Sequence, residues 1–149
     1  TGITHVDVLA VEGGADLAER FDVGTEAEPG MVVEIDPDDA GKLRLSRGAY
    51  SRLVAGVVSG ANGVEAGMIL ADLPGDADSQ PVALSGRVWV YGDATSQPIS
   101  PGDLLTTAER PGHAMAAVDH QRAQGAVLGK AMTSLEQGTG LVLVLVTLQ

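Results

Sequence analysis

Apolar residues along the chain fall in alternation or in short continuous runs, and Gly and Pro break the runs. That rhythm predicts an all-β protein. His5 to Val11 reads as a first strand, ended by Gly13-Gly14. Glu28-Pro29-Gly30 is a turn before a strand from Met31 to Ile35, and Lys42 to Ser46 alternates as its return. Between them, Asp36-Pro37-Asp38-Asp39-Ala40-Gly41 reads as a polar hairpin tip. Further strands are predicted over Leu53 to Ser59, Met68 to Leu73, Pro81 to Tyr91, Asp103 to Thr107, Ala114 to Val118, Gly125 to Met132 and Leu141 to Leu148. Gly86 inside the Pro81–Tyr91 run marks a bulge. Only Ala15 to Arg20 and His120 to Gln124 have the pattern of a helical turn. Few long segments lack a pattern, which favours one compact β-barrel or sandwich over residues 1–149.

A faint repeat runs through the pattern. Pro29-Gly30-Met31-Val32-Val33 resembles Pro101-Gly102-Asp103-Leu104-Leu105. Ala55-Gly56-Val57-Val58-Ser59-Gly60 resembles Gln124-Gly125-Ala126-Val127-Leu128-Gly129. Two readings stand: two related β-lobes, about 22–80 and 81–149, or chance recurrence of Pro-Gly turns and Gly-Val strands in a Gly-rich chain.

The last strand departs from simple alternation. Leu141, Val142, Leu143, Val144, Leu145 and Val146 are apolar on both faces. A one-sided sheet would alternate with polar residues. Both faces therefore need cover, inside the domain or at a subunit interface, since a bare edge of this kind aggregates.

Composition narrows the partners. The 149 residues carry 9 Lys+Arg against 20 Asp+Glu, a formal net charge of −11, with 20 Gly and no Cys. Such a charge repels nucleic-acid phosphates, and only Trp89, Tyr50, Tyr91 and Phe21 are available for base stacking. No apolar run is long enough for a membrane helix. Disulfides and cysteine metal sites are impossible without Cys. The acids concentrate in residues 1–50, which reads as a solvated face. Thr1, without a preceding Met or signal-like segment, reads as the start of a processed product or an excised domain.

Motifs of known chemistry are missing. Gly56-Val57-Val58-Ser59-Gly60 has one residue too many for a nucleophile elbow. No Gly-rich phosphate loop occurs. His5, His113 and His120 lack ligand spacing and read as solvated. Asp36, Asp38 and Asp39 lack the spacing and terminal Glu of a calcium loop, and Asp72, Asp76 and Asp78 read as loop acids. No metal and no cofactor is expected. Trp89 and Tyr91 share a strand face and form either a small ligand platform or core or interface filling. A hydrolase would need Asp16 with Glu19, or Ser59 with His113, to converge.

Gly13-Gly14-Ala15-Asp16-Leu17-Ala18-Glu19-Arg20-Phe21 carries most information. Asp16 can cap a short turn with Glu19 three residues on, and Leu17 and Phe21 share a face. Ala15-Asp16-Leu17-Ala18-Glu19-Arg20-Phe21 also resembles the Ser-Asp-Tyr-Ala-Glu-x-Phe signature of a phage family. That family comprises the C-terminal intramolecular-chaperone autoproteolysis domains of neck-appendage and tail-fibre proteins, the peptidase G2 type. Val54–Ser59, Val82–Val88, Ile99–Leu105 and Val127–Ala131 fit its outline, so the resemblance extends over roughly residues 15–148 in short motifs. The outline is similar to β-barrel decoration proteins of phage capsids as well. In the autoproteolytic family the Ser is the nucleophile and the Glu supports it. Glu19 matches, but Ala15 stands at the nucleophile position and has no hydroxyl. The resemblance thus implies a degenerate site at Ala15, Asp16 and Glu19 and no self-cleavage by that route.

The expected function is a non-enzymatic structural and assembly module. It would associate with itself as a homo-oligomer, expected to be a trimer, in a phage-like fibre or another extracellular or virion-surface assembly. An upstream fibre segment is a further expected partner; nucleic acid and membrane insertion are not. The alternatives are a self-cleaving chaperone domain inactivated at Ala15 and a glycan- or metal-binding β module.

Overall fold

The computed structural model describes residues 15–64, 67–70 and 79–148. The expected strand at His5–Val11 and the acids Asp72, Asp76 and Asp78 lie outside them. Ten strands follow in order: β1 (Ala15–Asp22), β2 (Val32–Ile35), β3 (Leu43–Leu45), β4 (Val54–Val58), β5 (Met68–Leu70), β6 (Ser79–Asp93), β7 (Leu104–Thr107), β8 (Ala114–Ala116), β9 (Val127–Ala131) and β10 (Thr139–Thr147). The described helices are a 3-10 turn at Ala61–Gly63 and α1 at His120–Ala123. The protein is mostly β, with a closed five-stranded barrel and additional strands.

The long strand β6 organises everything. β1 and β10 both pair with its residues 85–87, so they occupy opposite edges. β4 pairs with Val82 and Ala83 on the edge away from β1, and β8 meets Gly92 on the edge away from β10. The closed barrel is β6–β10–β9–β7–β8, sealed where β8 runs parallel to β6 at Gly92↔Ala114. The first half of β6 joins β1, β4, β2 and β3, with β5 added parallel to the outer edge of β1.

The same registers occur twice. Val33↔Leu45 and Glu34↔Arg44 in the first unit correspond to Leu105↔Ala116 and Thr106↔Met115 in the barrel. The β2–β4 register slips between Val33 and Glu34; the β7–β9 register slips between Leu105 and Thr106. Val57↔Ala83 and Val58↔Val82 correspond to Leu145↔Lys130 and Val144↔Ala131. Glu19↔Val82 corresponds to Val144↔Val88. The turns agree too, with Gly30 at φ 91 and Gly102 at φ 92, a left-handed conformation that suits glycine. Gly30 N donates to Val58 O at 2.8 Å, and Gly102 N donates to Ala131 O at 2.8 Å. In this correspondence Gly56 is matched by Gly129, not by the Gly125 that sequence similarity selects.

Burial follows the pattern. Phe21, Val33, Leu43, Leu45, Val58 and Val82 pack inside the first unit. Val88, Val90, Leu105, Leu128, Val142, Val144 and Val146 fill the barrel. Val32, Val57 and Ala83, on the other face of the first unit, join this second cluster and fuse the two units. Lys42 Nζ lies 3.3 Å from Asp22 Oδ2 and from Asp39 Oδ2, tying β1 to the hairpin tip. The matching place in the barrel is taken by the rings of Tyr91 and His113, 5.5 Å apart.

One expected element is corrected. Ala15–Arg20 is not a helical turn but part of strand β1. Its capping pattern is a local signal, whereas β1 is paired along both edges, with β6 and β5. Long-range backbone pairing outweighs a preference worth a few tenths of a kcal/mol per residue, roughly. The expected turn at His120 does form, and Asp119 Oδ1 caps it by accepting from Arg122 N at 3.2 Å. The irregularity expected at Gly86 is present: Gly86 has φ 92 inside β6, and the register slips beside it, where Leu17 faces Ser85 and Ala18 faces Ala83, leaving Leu84 as the extra residue.

Candidate functional site

Alternation along β10 separates the six residues expected at an interface. Val142, Val144 and Val146 are 1% exposed or less and belong to the barrel core. Leu141, Leu143 and Leu145 point outward. Across the sheet they face β6 in the register Leu141↔Tyr91, Leu143↔Trp89 and Leu145↔Arg87. The expected interface leucines and the expected Trp89–Tyr91 platform are therefore one surface. Met132, just past β9, lies beside it and donates its N–H to Leu143 O at 2.7 Å. Leu145 is 39% exposed and Met132 42%.

The repeated registers give this surface an internal comparison. Trp89, Tyr91, Leu141 and Leu143 correspond to Arg20, Asp22, Ser79 and Pro81 in the first unit. The fold therefore accepts charged or small residues where the barrel carries large apolar ones. Leu145 corresponds to Ala83, which is wholly buried between the units. Val57, also buried there, corresponds to the exposed Lys130.

The expected degenerate site is arranged differently from a catalytic pair. Ala15 begins β1 opposite Arg87. Asp16 is buried, and its Oδ2 accepts from Ser59 Oγ at 2.8 Å. Asp16 Oδ1 accepts from Gly67 N at 3.2 Å. Glu19 is half-buried and, three residues along a strand, projects from the opposite face to Asp16. Asp16 and Glu19 are not brought together. The Ser59 hydroxyl donates its hydrogen bond to Asp16, whereas His113 Nδ1 contacts Pro111 O at 2.8 Å, so the Ser59–His113 pairing is absent as well.

The Asp36–Asp39 segment is a hairpin tip. Asp36 Oδ1 accepts from Asp38 N at 2.9 Å, and Asp39 is paired with Lys42. Among the described residues no group of three or more His, Cys, Asp or Glu is placed to hold a metal. No helix among them is long and apolar enough to cross a membrane.

Two features escape sequence reasoning. Glu34 is 2% exposed and is held by Arg44 Nε at 2.8 Å and Ser51 Oγ at 2.9 Å. The signal was available, because the hairpin register sets Glu34 opposite Arg44. Tyr50 adopts φ 55, a left-handed conformation that a bulky side chain rarely takes and that costs on the order of 1–3 kcal/mol. Tyr50 N donates to Thr107 O at 3.2 Å, and Tyr50 Oη accepts from Asp119 N at 2.9 Å.

No protein-family model matches the chain, and no curated protein matches it. Among solved structures, a similarity extends over most of the chain. That structure is the C-terminal fragment of bacteriophage phi29 gene product 12, with a TM-score of 0.55 over 89% of this chain and 100% of the fragment. The chain shares the fold of this phage fragment. At 17% identity the likeness concerns the fold alone.

Proposed function

We propose that this chain is a structural module of a phage-like fibre or related extracellular assembly, and that it associates with copies of itself. The observation that carries the reading is the apolar outer face of β6 and β10. Trp89, Leu141, Leu143 and Leu145 lie side by side where the matching positions of the first unit are Arg20, Ser79, Pro81 and Ala83. The fold does not demand that face, so a partner is the physical reason for it. Across the sheet Trp89 faces leucines, with Arg87 and Tyr91 beside it along β6, which suits a protein seam with a polar rim better than a sugar platform. The seam is expected to be the interface of a closed homo-oligomer, with a trimer as the proposed symmetry. Likeness in fold to a C-terminal fragment of a phage gene product supports the setting.

On this reading the module is not an enzyme. Ala15 stands where the resembling family carries its nucleophile, and the −11 charge covers the outside of the assembly. The test is sedimentation of the chain beside Leu145→Glu and Lys130→Glu. Leu145→Glu should release monomers while leaving the circular-dichroism spectrum unchanged, and Lys130→Glu should have a smaller effect. A wild-type chain that sediments as a monomer contradicts the proposal.

A further inference from the structure

A cleft between the two units carries chemistry that self-association does not use. Its walls come from corresponding connections, the segment 46–53 that leads from β3 to β4 and the segment 117–126 that leads from β8 to β9. Tyr50 and Arg52 line it from one side, and Gln121, Arg122 and Gln124 from the other. The cleft is open and holds about 360 Å³. Positions distant in sequence are tied there: Tyr50 N donates to Thr107 O, and Asp119 N donates to the Tyr50 hydroxyl.

The cleft brings two guanidiniums into one lining in a protein with more than twice as many acids as bases. Lys42, Arg44 and Arg110 are ion-paired with carboxylates. Among the described residues neither the Arg52 nor the Arg122 guanidinium is ion-paired with a carboxylate; Asp119, beside the cleft, accepts from Arg122 through its backbone N–H only. Arg122 instead lies over the Tyr50 ring, 4.5 Å from its centroid. Stacking fixes the plane of a guanidinium and leaves its in-plane N–H groups to donate sideways. The strained Tyr50 backbone sets the ring on which it stacks.

We propose that this cleft binds an acidic sugar, whose carboxylate or phosphate is held between Arg52 and Arg122. A guanidinium matches the oxygens of either oxyanion in bidentate fashion, and both guanidiniums line the same cleft. The side-chain amides of Gln121 and Gln124 both donate and accept, as sugar hydroxyls require. The volume exceeds what a bare ion fills and suits one sugar ring.

Calorimetric titration of the full chain with glucuronate, glucose 6-phosphate, glucose and inorganic phosphate tests this. At least one acidic sugar should bind, with glucuronate and glucose 6-phosphate separating the carboxylate from the phosphate source, and glucose should not. Arg52→Gln and Arg122→Gln should each weaken binding by about ten-fold or more, as expected for loss of charge-assisted hydrogen bonds. Arg47→Gln, the same charge change in another cleft, should leave it intact. Arg52 is exposed, so its variant stays informative even if Arg122→Gln disturbs Tyr50. Binding of neither acidic sugar, or binding indifferent to both variants, overturns the proposal. So does inorganic phosphate binding as tightly as any sugar tried, which would mark a simple anion site.

Discussion

Gly56 and Gly129 occupy the same place in two copies of one strand pattern. A Cβ at Gly56 would run into the carbonyl oxygen of Ala83 in the neighbouring strand β6, and a Cβ at Gly129 would run into that of Leu145 in β10. Neither residue has a positive φ, so close backbone approach, not conformational freedom, excludes a side chain. Gly129→Ala should therefore push β9 away from β10 and cost about 1–3 kcal/mol or more. Urea unfolding would show the loss as a lower midpoint with an unchanged slope. A midpoint equal to wild type would mean the seam can open without cost.

Glu34 and Arg44 form a cross-strand pair of which the acid is almost wholly buried. Arg44→Met would leave the Glu34 carboxylate with Ser51 Oγ as its remaining side-chain donor. A buried charge robbed of its partner costs about 3–5 kcal/mol. The double replacement Glu34→Leu with Arg44→Met should lose less than Arg44→Met alone. Equal loss in single and double variants would show that the charge itself is not what Arg44 neutralises.

Ser59 links the end of β4 to Asp16 in β1. Ser59→Ala removes the 2.8 Å donor from Asp16 Oδ2 and leaves a buried acceptor short of a partner. The expected destabilisation is about 1–3 kcal/mol by chemical denaturation. A neutral Ser59→Ala would place Asp16 in contact with solvent instead.

Asp93 supplies a pH dependence with a definite sign. Burial pushes its carboxyl up, but donors outweigh that effect: Thr95 Oγ1 at 2.7 Å, Thr95 N at 3.0 Å and Arg110 Nε at 3.4 Å. The net result holds Asp93 below the ordinary aspartate range. Its folded value thus lies below its unfolded one. The contribution is complete above the ordinary aspartate value of 3.8 and is lost as pH falls through the folded value. Wild-type stability should fall more steeply than that of Asp93→Asn as pH drops below about 4. Parallel curves would show that the turn at Thr95 does not discriminate between the charged and neutral carboxyl.

Much of the architecture is legible from period-two patterning. The hairpin of Val32–Ile35 with Leu43–Leu45 and the strands at Val54–Val58, Leu104–Thr107 and Val127–Ala131 lie within the expected runs. What escaped depends on contacts between distant residues. The segment at Asp16 carries a helix-capping pattern that partners on both edges override. Gly125 follows the sequence similarity, but Gly129 meets the neighbouring backbone, a requirement that leaves no mark on spacing. The run Leu141–Val146 shows two apolar faces but not which face the chain itself covers. The structure assigns the valines to the core, and the leucines then lie beside Trp89 across the sheet. The Arg52–Arg122 cleft had no sequence signal, because it depends on two loops meeting at Tyr50.

The outer face of β6 and β10 is the proposed seam between copies of the chain. The most direct test is the mass of the native particle at low micromolar concentration, by sedimentation equilibrium or native mass spectrometry. A single closed species is expected at a small multiple of the 15.2 kDa chain, three being the proposed number, that collapses toward one chain in Leu145→Glu. A stable 15.2 kDa particle for the wild-type chain would contradict it.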